Sequence, residues 1–154
     1  MKKRLQDINS HTILYCKNWY FGDKPSDIDQ ISKMDIIFLA ADCYYNIKNM
    51  RNLLRQILLK GIPIINCPIN FLGGYVTIST KTDIKYFDCH TQQLIDQSLR
   101  DKKYDIISQP AYKCALIAAE AVNQMIQYFQ NCRHACINSI LNIDIYHHIY
   151  KKED

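Results

Sequence analysis

Asp42, the Cys89-His90 pair and the Cys132-Arg133-His134-Ala135-Cys136 cluster are the side chains whose type and spacing could do chemistry. Asp42 follows an apolar run and precedes residues at helical spacing. On those residues alone its carboxylate serves to cap the next helix, accepting from amides at the helix start. An imidazole next to a thiol can lower the thiol pKa, although neighbouring residues on a strand point opposite ways. Cys132, His134 and Cys136 put two thiols and an imidazole close together at a helix end. Their spacing differs from the paired C-x-x-C of a tetrahedral thiolate cage, so a structural zinc is not expected. His147-His148 reads as an exposed strand end, and Trp19, Tyr20 and Phe21 as core or interface. The four glycines, Gly22, Gly61, Gly73 and Gly74, include no G-x-G-x-x-G. A strand-to-helix turn whose amides could approach phosphates is therefore missing.

The elements that must hold these groups follow from apolar spacing. His11 to Tyr20 is rich in β-branched and aromatic residues and reads as a strand. Ser26 is placed to cap a short helix over 27–32. Asp35 to Ala41 (DIIFLAA) is apolar without alternation, as in a strand covered on both faces of a parallel sheet. Ile47, Met50, Leu53, Leu54, Ile57 and Leu58 then recur at helical spacing, with Lys48, Arg51 and Arg55 opposite. Gly61 stops that helix and Ile62 to Ile65 forms the next strand, giving a right-handed βαβ crossover. Beyond Pro68 the pattern predicts a strand over Tyr75–Thr80, paired in a hairpin with Ile84–Phe87. A weak helix over 92–100 follows. Pro110 opens a long helix over 111–130, with Ala115, Ala118, Ala119, Val122, Met125, Ile126 and Phe129 facing the core. A strand around residues 140–146 ends the chain. The expected class is α/β with a mixed sheet in one domain, 1–154.

At 154 residues the chain can bury a core without staples, and 48% hydrophobic with 22% charged residues is ordinary globular composition. The net charge of +4 is dispersed, which argues against nucleic acid as a partner. Seven cysteines, odd in number and scattered, read as reduced core thiols of a cytoplasmic protein rather than a disulfide framework. The basic start MKKRLQDINSHT has no apolar stretch behind it, so it does not read as a signal peptide. No apolar run reaches the ~20 residues of a membrane span, so no membrane association is expected.

In order along the chain, DIIFLAADCYYN (35–46), a helix bearing Asn46 and Asn49, Gly61-Ile62-Pro63, IINCPINFLGGYVTI, QPAYKCALIAAEAVNQMIQYF and the closing SILNIDIYHH resemble the ThiF/MoeB/HesA family. These are adenylating enzymes related to ubiquitin-activating enzyme. The Ala-Asp followed by aromatics and Asn46 is most similar to the peptide-adenylating relatives of microcin C type. The resemblance spans nearly the whole chain, but it begins after the point where such enzymes carry their glycine-rich loop.

It implies a Rossmann-like mixed sheet truncated in its nucleotide-loop half. The implied activity is ATP-dependent adenylylation of the carboxyl terminus of a protein or peptide, with ATP and Mg²⁺ as cofactors. Asp42 is the one catalytic position carried over: in relatives it ends a sheet strand and helps to coordinate Mg²⁺, for which a carboxylate is a suitable hard ligand. The family's zinc cage is not carried over, since Tyr86 stands where its first cysteine would be and no second pair follows. Cys89 falls on a former zinc ligand, and some relatives keep a reactive cysteine in this segment. The chain is then expected to be inactive alone and to work with a partner supplying the loop. The alternative is a non-catalytic binding or scaffolding partner of an active homologue or peptide. A sheet lacking its first strands would expose an apolar edge, which implies a homodimer or hetero-complex.

Overall fold

The computed structural model describes residues 13, 25–39, 47–69, 73–100 and 111–153. Within them, α1 (Pro25–Ile31) opens with a proline at its first position, where the missing N–H costs nothing. The helix thus starts ahead of Ser26 and does not begin after it. β1 (Ile37–Leu39) is followed by α2 (Ile47–Leu59) and β2 (Ile64–Asn66). β1 and β2 pair in parallel, Ile37 with Ile64 and Leu39 with Asn66, as the sequence pattern anticipates for a strand–helix–strand unit. Gly61, at φ 90, makes the left-handed turn out of α2 that side-chain-bearing residues resist. The strand expected over 11–20 lies outside the described residues.

β3 (Gly73–Ser79) runs antiparallel to β2, but its expected hairpin partner over 84–87 is helical. A short 3₁₀ turn over Lys81–Asp83 leads into α3 (Ile84–Arg100), which absorbs both that segment and the weak helix expected after it. The reason is local. The Asp83 carboxylate accepts the Tyr86 N–H at 2.9 Å and caps the helix start, while Phe87 and Thr91, one turn apart, are buried on one face. β4 (Ile140–Asp144) pairs antiparallel with β3, and β5 (Ile149–Glu153), too polar to be expected as a strand, pairs antiparallel with β4. Spatial order equals chain order, β1-β2-β3-β4-β5. The described residues form a mixed α/β fold compatible with a Rossmann-like one.

Adjacent residues of β2 point to opposite faces, and each face has its own core. Ile64 joins Leu54, Ile57 and Leu58 of α2 and Phe87 of α3. Ile65 joins Val76, Ile78, Ile143 and, from α4 (Ala111–Phe129), Ile117 and Ala121. The basic face of α2 packs on α3: Arg51 donates to the Gln92 amide oxygen at 2.8 Å and to the Asp88 carbonyl at 2.9 Å, and Arg55 meets the Asp88 carboxylate at 3.2 Å.

α4 has the expected limits but the opposite orientation. Its buried residues are Lys113, Ile117, Ala121 and Gln124, whereas Ala115, Ala118, Ala119, Val122, Ile126 and Phe129 are exposed and Met125 is half-buried. Two polar partners decide the rotation. Gln124 accepts the buried Cys136 N–H at 2.8 Å, and Lys113 lies 4.7 Å from the Tyr146 ring centre. No described helix is long and apolar enough to cross a membrane. At the end of the sheet order, β5 is exposed throughout and carries the Lys151–Glu153 pair at 3.0 Å, charges that discourage edge-to-edge association.

Candidate functional site at the carboxyl end of the parallel strands

β1 and β2 end side by side, with Leu39 opposite Asn66. Ligands of open α/β sheets sit beyond strand ends of this kind. Asp42 follows Leu39 by three positions and lies outside the described residues. Next to the strand ends stand Asn66 and Cys67, both half-buried, and then the return of the chain into β3, where the Tyr75 N–H reaches the Pro68 carbonyl at 3.2 Å. Asp144 pairs with Gly73 across the β3–β4 ladder, so the β4–β5 turn reaches the same end of the sheet.

The start of α4 reaches it too. Lys113 is buried with its ammonium over the Tyr146 ring, and its contact, with a smaller one from Tyr112, holds that phenol below its usual range. The contact with Tyr146 pushes Tyr112 up. The Asp144 carboxylate pairs with the His147 Nδ1 at 2.7 Å, and accepts the Tyr146 and His147 amides at 3.0 and 3.1 Å. The His147 contact, chiefly, holds Asp144 below the usual carboxylate range. His147-His148 therefore belongs to a turn in which His148 has φ 54, not to a strand end.

This arrangement can hold a cation–phenol pair rigidly beside the strand ends, but it does not cradle a triphosphate. Gly73 and Gly74 are committed to packing: an added Cβ would stand 2.1 Å from the Ile143 carbonyl oxygen at Gly73 and 2.5 Å from that of Pro68 at Gly74. Gly61 packs on Lys81. Gly73 and Gly74 thus leave no room for main chain to approach phosphates there, and no group of three or more His, Cys, Asp and Glu gathers among the described residues. By themselves the described residues do not fit ATP·Mg²⁺.

Cys89 and His90 are not a couple. Both lie on α3, where Cys89 is exposed and His90 is turned inward, its Nε2 3.1 Å from the Tyr75 hydroxyl and its ring stacked on Tyr86 at 6.0 Å. Tyr86 in turn bonds the Thr77 hydroxyl at 2.9 Å. Cys136 is a core residue whose thiol burial pushes up to about 11, a poor ligand or nucleophile at neutral pH. Lys113, Gln124 and the Tyr75–His90–Tyr86 cluster were not legible beforehand. The trace of Lys113 and Gln124 is a stripe 113, 117, 121, 124 at helical spacing that is polar at both ends.

Burial lowers the His90 pKa from its usual value near 6.5. The unfolded chain therefore binds the proton more readily, and stability is full above about pH 6.5 and falls as the pH drops towards the folded value. Thermal melts between pH 7.5 and 5 should show a falling midpoint, and His90→Gln should flatten that part of the profile. An identical slope in the variant would remove His90 as the cause.

No family model matches this chain, and no curated protein is similar to it at a significant level.

Proposed function

We propose that this chain is the carboxyl-terminal part of a ThiF-like adenylating domain, inactive alone and completed by a partner that supplies the glycine-rich loop. The reaction class would be ATP-dependent activation of the carboxyl terminus of a protein or peptide as an acyl-adenylate. The observation that carries this reading is the sheet order: a parallel β1–α2–β2 unit followed directly by the Gly73-Gly74 strand and the closing β4, each antiparallel to its predecessor. The family's ordered motifs call for that series, with Gly61-Ile62-Pro63 at the entry to β2. Asp42, next beyond β1, is the residue assigned to Mg²⁺ and catalysis. Cytoplasmic location and independence of nucleic acid belong to the same proposal.

The commitment of Gly73 and Gly74 to strand packing, together with the uncovered apolar face of α4, favours a second reading, a non-catalytic binding partner of an active homologue or peptide. Pyrophosphate–ATP exchange separates the two. Mixed with a chain from the same genome that carries G-x-G-x-x-G, the enzyme half should support exchange, and Asp42→Asn should reduce it on the order of 100-fold or more. A stable complex with no exchange would leave the scaffold reading. Exchange untouched by Asp42→Asn would remove Asp42 from the site.

A further inference from the structure

We draw no further inference here: the strongest candidate, the exposed apolar face of α4 along Val122, Ile126 and Phe129, carries none because nothing among the described residues shows what covers it.

Discussion

Gly73→Ala is expected to cost about 3 kcal/mol or more and to lower the melting midpoint by roughly 6–12 °C. The mechanism is steric and confined to the backbone. A Cβ at this position would sit 2.1 Å from the Ile143 carbonyl oxygen and 3.2 Å from the Ile145 side chain. No rotamer relieves contact with a carbonyl; β3 must separate from β4 at the pairs Gly73–Asp144 and Gly74–Ile143. The loss would also disturb the Asp144–His147 turn and the Tyr146 ring on which Lys113 rests. Thermal unfolding of the purified variant measures it. A shift below about 2 °C would mean that the two strands are not this close.

The second large effect separates two adjacent leucines. Leu58 is 0% exposed at the centre of the α2 core, against Ile57, Ile64 and Phe87, while its neighbour Leu59 is 55% exposed. Leu58→Ala should cost about 2–5 kcal/mol, from lost transfer free energy and the cavity left behind. Leu59→Ala should stay within about 0.5 kcal/mol. Urea unfolding of both variants tests the rotation of α2 about its axis. Equal losses, or a larger loss at Leu59, would contradict the packing of this helix on the sheet.

The same logic shows why parts of the fold were legible in the sequence and others were not. The β1–α2–β2 unit was readable because each piece has an unambiguous local signal: an unbroken apolar run, a stripe at helical spacing, and Gly61 at a helix end. Ile84 to Phe87 was not, because an apolar residue at each end of a four-residue stretch fits a strand or one helical turn equally well. The cap at Asp83 decides for the helix, and apolar periodicity does not register it. The extent of α4 was plain from its composition, but its orientation was inverted. Hydrophobic counting assigns Val122, Ile126 and Phe129 to the core, whereas the sheet takes Lys113 and Gln124, whose polar ends find Tyr146 and the Cys136 amide. β5 went unread because IYKKE carries three charges and lies at an edge, where exposure demands no apolar alternation.

The site divides in the same way. The missing G-x-G-x-x-G is a sequence observation, while Gly73 and Gly74 show a separate role, close packing within β3. Cys89-His90 drew notice because an imidazole adjoins a thiol, with the opposite facing of neighbours on a strand counting against the pair. On a helix, His90 is drawn in by Tyr75 and Tyr86 while Cys89 faces solvent. Asp42 keeps the assignment that the family resemblance gives it, and it is tested through exchange.

Isothermal titration of ATP·Mg²⁺ into the purified chain, alone and then with a loop-bearing partner, bears most directly on the incomplete-site reading. The chain alone should give no saturable heat up to millimolar nucleotide, and binding should emerge only in the complex. Saturable binding by the isolated chain would mean that its own backbone already surrounds a triphosphate, and the half-enzyme reading would fail.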